Sequence, residues 1–111
     1  MKLTCEDHDR VSVMHVGGDV TADEIGEFRK LAQDRMKHGI RDFVLDLRDV
    51  SFIDSQGLET LLWLQEAAGE NLGQVRLVAL TDNVNKIFEI TRLAPCFECL
   101  ADVPEALESL Q

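Results

Sequence analysis

The residues best placed to do chemistry are Asp54-Ser55-Gln56-Gly57. They follow an apolar run, Phe43-Val44-Leu45-Asp46-Leu47, and a short segment from Arg48 to Ile53. They precede Leu58, Leu61, Leu62, Leu64 and Ala68, which recur at helical spacing. The pattern reads strand, loop, helix, with Ser55 at the mouth of the helix. The first N–H groups of a helix have no intrahelical partner, and the aligned peptide dipoles add partial positive charge there. A hydroxyl at that point can carry a phosphate, which replaces a neutral group by about −1.5 to −2 charges. Ser55 is therefore the candidate phosphoacceptor. Ser51 falls in the loop and Thr60 inside the helix, so both are less apt. Asp54 occupies the N-cap position, where its carboxylate accepts the N–H near Gly57. It also adjoins the Ser55 hydroxyl, where it can orient the acceptor or mark it for a kinase. Gly57 permits close approach of helix or partner backbone.

Other reactive residue types give weaker patterns. Cys96-Phe97-Glu98-Cys99 has C-x-x-C spacing, but it reads as part of a strand, not a helix start, so the usual thiolate stabilisation is missing. His8, His15 and His38 are scattered without metal-ligand spacing, so no metal is expected. Asp46 and Asp49 near a strand end raise the possibility of a phospho-aspartate receiver. That chemistry needs an acidic pair after the first strand, and this chain has a hairpin there, with Asp7 and Asp9 in its turn. Asp46 reads instead as a strand-end residue making local hydrogen bonds. Trp63, the one tryptophan, lies on the Glu59, Thr60 and Ala67 side of its helix. It is either covered by a neighbouring helix or, with Glu59, a partner contact.

The elements that must position this motif can be traced along the chain. Lys2–Glu6 and Val11–Val16 read as two strands joined by the turn Asp7-His8-Asp9-Arg10. Thr21 and Glu24 have capping-box spacing before a helix whose apolar stripe is Ile25, Phe28, Leu31, Ala32 and Met36, and which His38-Gly39 stops. After the Ser55 helix, Gly69 and Gly73 bracket its exit. Val75–Leu80 is a strand, and Asp82 caps a third helix carrying Val84, Ile87, Phe88 and Thr91. Pro95 closes that segment. Phe97–Leu100 is a last short strand, and Asp102 with Pro104 opens a final helix docked by Ala106, Leu107 and Leu110. The order β-β-α-β-α-β-α-β-α predicts an α/β fold with a mixed central sheet of about five strands, an N-terminal hairpin and helices mainly on one face. One domain fills residues 1–111.

Net charge is −10, which disfavours nucleic acid as a partner and suits a basic protein surface. No run approaches the ~20 apolar residues of a membrane span. The acidic start Met1-Lys2-Leu3-Thr4-Cys5-Glu6-Asp7 does not read as a secretory signal, so a cytoplasmic location is expected.

The central stretch Val44-Leu45-Asp46-Leu47, Val50, Phe52-Ile53-Asp54-Ser55, Gly57-Leu58 resembles the signature of the STAS domain, the domain of bacterial anti-sigma factor antagonists that also occurs in anion transporters. Ile40-Arg41-Asp42 resembles the family's lead-in, and Val84, Ile87-Phe88, Thr91 and Leu93 its third helix. The resemblance implies a non-enzymatic regulator of transcription. Its serine, here Ser55, is a substrate and not a catalyst. The implied partners are an anti-sigma factor with a histidine-kinase-like serine kinase fold, which supplies its own ATP and Mg²⁺, and a cognate phosphatase. The chain itself would hold no cofactor, and its oligomeric state would be monomer or weak dimer. Asp54, Gln56 and Gly57 would form the phosphosite motif and partner contact. Gln56 stands where a second serine or threonine is frequent, and Arg92 where a glycine often stands. The alternative is a STAS module without a switch, docking constitutively in a transport or signalling assembly.

Overall fold

The computed structural model describes residues 1–111. The strands β1 (Lys2–His8), β2 (Val11–Gly17), β3 (Asp42–Asp49), β4 (Val75–Val78) and β5 (Glu98–Leu100) lie side by side in chain order as one sheet. Only β1 and β2 run antiparallel, joined by the two-residue turn Asp9-Arg10. Every later pairing is parallel. Parallel neighbours need crossover connections, and the chain supplies them as α1 (Ile25–Lys37), α2 (Ser55–Glu70) and α3 (Asp82–Ile90), the last followed by a 3-10 turn at Ala94–Cys96. Crossovers of one hand place these helices on the same face. The short α4 (Val103–Ser109) covers part of the other face.

This layering explains the composition of β3. As the middle strand it is covered on both sides, so Phe43, Val44, Leu45 and Leu47 are all buried and the run is nearly continuous. Phe43 and Leu45 join Met14, Phe28, Leu61, Leu64, Leu77 and Phe88 in the main core beneath α1–α3. Val44 faces the opposite way and meets Val13, Val78 and Ala106 under α4. The two faces follow from the period of two along each strand.

Three helices end in the same way, with different residues in the demanding position. In each, a residue beyond the C-cap adopts positive φ, and its N–H and the next one bond back to carbonyls in the last turn. For α1 that residue is Gly39 (φ +92°), with Gly39 N–H to Met36 O and Ile40 N–H to Arg35 O. For α2 it is Leu72 (φ +62°), 87% exposed, with Gly73 N–H reaching Ala68 O at 2.7 Å. For α3 it is Arg92 (φ +61°), with Leu93 N–H to Phe88 O at 2.9 Å. Gly73 answers a different need: a Cβ there would sit 1.8 Å from the Arg41 carbonyl oxygen, so α2 could not turn into β4 with any side chain.

Several local expectations are corrected. The Thr21/Glu24 capping box does not form. The α1 N-cap is Glu24 without a side-chain cap, Thr21 O takes the Glu24 N–H, and Glu24 pairs with the Met1 amino group at 2.8 Å. The α3 cap is Thr81, not Asp82, because the Thr81 hydroxyl is anchored by donating to Val50 O at 2.9 Å and accepts the Val84 N–H at 3.4 Å. β4 stops at Val78, where Ala79 turns to positive φ. β1 extends to His8 because its pairing continues to the turn. Cys96 lies in the 3-10 turn, so of the C-x-x-C pair only Cys99 is in a strand.

Non-glycine residues in the left-handed region cost about 1–2 kcal/mol, against which glycine loses more chain entropy on folding. Leu72→Gly and Arg92→Gly are therefore each expected to raise stability by about 0.5–1 kcal/mol, read as a higher urea midpoint at unchanged slope. A lower midpoint for both would contradict this account of the helix ends.

Candidate functional site

Ser55 begins α2 directly after the loop that leaves the C-terminal end of β3. The loop is held by backbone and side-chain bonds from two directions. From the segment after β2, Val20 N–H donates to Phe52 O (2.9 Å), Asp54 N–H donates to Val20 O (3.1 Å), and Val20 and Ile53 form an isolated parallel bridge. From the same segment, Asp19 accepts the Ser51 hydroxyl at 3.0 Å. From the start of α3, Thr81 donates to Val50 O. Val20, Val50 and Ile53 are buried beneath these bonds.

Asp54 joins two of these elements. One carboxylate oxygen accepts the Gly57 N–H at 2.8 Å as the α2 N-cap, and the other accepts the Ala22 N–H at 2.9 Å. The Gly57 bond first, and the Ala22 bond second, hold the Asp54 carboxyl below the usual carboxylate range. Both bonds favour the charged form.

Gly57 is buried, and its need for hydrogen in place of a side chain is internal. A Cβ would lie 2.5 Å from Val20 O and 2.7 Å from Ile53 Cγ2. The glycine thus lets α2 settle onto the Val20–Ile53 bridge.

The hydroxyls around the motif divide sharply. Ser51 is bonded to Asp19, Thr81 to Val50 O, and buried Thr60 donates to Gln56 O at 2.9 Å. Ser55 is exposed, and its hydroxyl makes no hydrogen bond within the protein. Gln56 and Glu59 are exposed beside it on α2, Glu59 one turn along. Phe52, 47% exposed, adds an apolar ring to the same rim. Its exposure is legible only in part from the sequence, through its alternation with buried Ile53. Trp63 is half-buried, with the Arg29 guanidinium of α1 4.8 Å from its ring centre, so helix α1 covers one face of the ring.

The acids of the receiver alternative do not converge. Asp46, 7% exposed, accepts the Arg48 N–H at 3.1 Å and pairs with His15 Nδ1 at 2.9 Å. Asp7 and Asp9 sit at the hairpin, at the other end of β2. Asp7 is engaged by Arg35 at 2.7 Å. The thiols of Cys5, Cys96 and Cys99 are all free, and burial, then the Glu98 charge, push the Cys99 thiol pKa up, opposite to an activated redox cysteine.

Two outcomes follow. Gly57→Ala should lose about 1–3 kcal/mol of stability from overpacking, although alanine is the better helix former; a neutral or stabilising change in urea denaturation would refute the close contact. For Asp54, the folded-state pKa is depressed, so its contribution is complete above the ordinary carboxylate pKa and disappears as pH falls through the folded value. Asp54→Asn should therefore unfold a few degrees below wild type at neutral pH, with the gap closing in the acid range below about pH 4. A gap of the same size at pH 7 and pH 3 would show that the carboxylate charge is not its source.

Comparison with known proteins agrees with this geometry. The chain is 27% identical over 85 residues to an anti-sigma-B factor antagonist of Staphylococcus aureus, covering 77% of this chain and 79% of that one. It superposes on the crystal structure of an anti-sigma factor antagonist from Mycobacterium paratuberculosis with a TM-score of 0.85, at 26% identity, covering 98% and 92% of the two chains. The Bacillus cell fate determinant SpoIIAA in its phosphorylated form shares the fold at a TM-score of 0.77 and 17% identity, covering 99% and 100%. The sequence profile of the STAS domain matches residues 2–106, and the chain belongs to the STAS-domain family.

Proposed function

We propose that this protein is an anti-sigma factor antagonist whose binding is switched by phosphorylation of Ser55. The observation that carries the reading is the division of hydroxyls at the α2 entrance: Ser55 alone is exposed and uncommitted, while Ser51, Thr60 and Thr81 are held by the fold. The names of its relatives support the antagonist class, and the STAS fold is known in a phosphorylated protein.

The mechanism follows from charge at a preformed surface. In the unmodified state the rim of Phe52, Ser55, Gln56 and Glu59 offers a neutral hydroxyl and an apolar ring to an anti-sigma factor. Transfer of the γ-phosphoryl of ATP to Ser55 Oγ by the kinase activity of that anti-sigma factor, with ADP leaving and the hydroxyl proton passing to a base of the kinase, adds a dianion beside Asp54 and one helical turn from Glu59. The α2 N-terminus offsets part of this repulsion, by about 0.3–1 kcal/mol, so the fold is kept. A partner surface shaped around the hydroxyl must instead desolvate a dianion or meet it with like charge. A loss of roughly 3–4 kcal/mol weakens binding a few hundredfold, enough to release the partner. A phosphatase resets the cycle. The protein is the substrate in this chemistry, acting in the cytoplasm as a binding regulator.

The test uses the full chain with candidate serine kinases of anti-sigma type and ATP. Mass spectrometry is expected to place the phosphate on Ser55. Ser55→Ala should remain unmodified and bind the kinase as wild type does, whereas Ser55→Asp should bind about a hundredfold more weakly. Equal affinity of Ser55→Asp and wild type would end the switch and leave constitutive docking by the same face.

A further inference from the structure

We infer that the free edge of β1 pairs with the same edge of a second copy of this chain, antiparallel about a two-fold axis at Thr4. β1 ends the sheet, and all seven of its residues pair with β2 on the inner side. In an antiparallel strand alternate residues direct their N–H and C=O away from that neighbour. On the outer side of β1 these groups meet nothing. Outside the ladder with β2, no backbone group of Lys2–His8 bonds to another part of the chain. Such an edge is a template for a further strand. The opposite edge, β5, is three residues long and offers far less.

The side chains of β1 complement their own reverse. Leu3 and Cys5 are half-buried against the main core, so Lys2, Thr4 and Glu6 face the other side of the sheet. Pairing centred on Thr4 sets Lys2 opposite Glu6 of the second copy, twice by symmetry, and Leu3 opposite Cys5 of the second copy. Opposite charges then meet on one face and apolar groups on the other. Moving the register toward the hairpin by one residue sets Leu3 against Glu6 of the second copy, and by two residues against Asp7. Moving it the other way shortens the overlap and loses both ion pairs. The two charges are free for this use. Lys2 makes no ion pair within the chain, and Glu6 is 65% exposed with only His8 near it, at 3.9 Å. Asp7, which would unbalance the edge, is held by Arg35 at 2.7 Å. The contact is small and each copy carries a net charge of −10, so the dimer is weak. It does not use the Ser55 rim, which follows β3 in the middle of the sheet.

The test follows the full chain by sedimentation velocity and by ¹⁵N-resolved amide shifts, from about 10 µM to about 1 mM protein. A reversible dimer is expected, with a Kd of about 0.1–1 mM and concentration-dependent shifts centred on residues 2–7. Lys2→Glu and Glu6→Lys each set like charges opposite one another and should weaken association about tenfold. The two substitutions move the net charge in opposite directions, so a response to overall charge alone would weaken one dimer and tighten the other. The double variant Lys2→Glu/Glu6→Lys keeps the net charge and should associate as wild type does. A monomer throughout the range would overturn the pairing. So would shifts centred on β5 or on the α2 entrance, single variants that associate like wild type, or a double variant that associates no better than the single ones.

Discussion

The site depends on one carboxylate with two backbone partners. Asp54 caps α2 through Gly57 and, with its second oxygen, takes the Ala22 N–H 32 residues earlier in the chain. Release of that carboxylate would free the start of α2 from the segment that leads into α1. The Val20–Ile53 bridge and the Val20 bonds to Phe52 and Asp54 flank it, so the loop is fixed from both sides before any partner arrives. Gly57 belongs to the same arrangement, since only a missing side chain lets the helix reach Val20 O. The result is a rigid loop whose outward hydroxyl is free because its neighbours are all held.

That rigidity suits a switch built on charge. If the loop were mobile, a phosphate on Ser55 could be accommodated by local rearrangement, and part of the penalty for a docked partner would vanish. In the proposed switch, a fixed α2 entrance would keep the dianion where it was placed, on the same rim as Glu59 and Phe52. The weak positive field of the helix start would make that modified state tolerable to the fold without making it acceptable to a surface shaped around a hydroxyl.

Much of the architecture was legible because it rests on local periodicity. The apolar run of β3 and the stripes of α1 and α2 each require one period, and burial in the structure follows them; β2 is covered on both faces, so Ser12, Val13, Met14 and Val16 are all buried. Asp54 as N-cap and Gly39 as helix stop were legible for the same reason, since both are local backbone chemistry. The errors fell where a local pattern competed with a distant partner. Thr21 and Glu24 have capping-box spacing, but Val20 and Ala22 are drawn to the Asp54 loop, and the helix starts later. Asp82 is a good cap by type, but Thr81 is the residue that Val50 O anchors. Left-handed Leu72 and Arg92 have no sequence signal, since each sits where glycine would be the natural choice.

By itself, then, the order of residues determined the β-β-α-β-α-β-α-β-α arrangement, the strand-loop-helix setting of Ser55 and the cap before it, because these depend on neighbours within a few positions. Tertiary structure alone decided which hydroxyls are engaged and that Gly57 serves an internal contact. It also decided that Arg29 lies over Trp63. Apart from the Thr60 bond to Gln56 O within α2, those facts depend on groups about thirty residues apart, or more, brought within about 5 Å, and hydrogen bonds and steric contact act only at such distances.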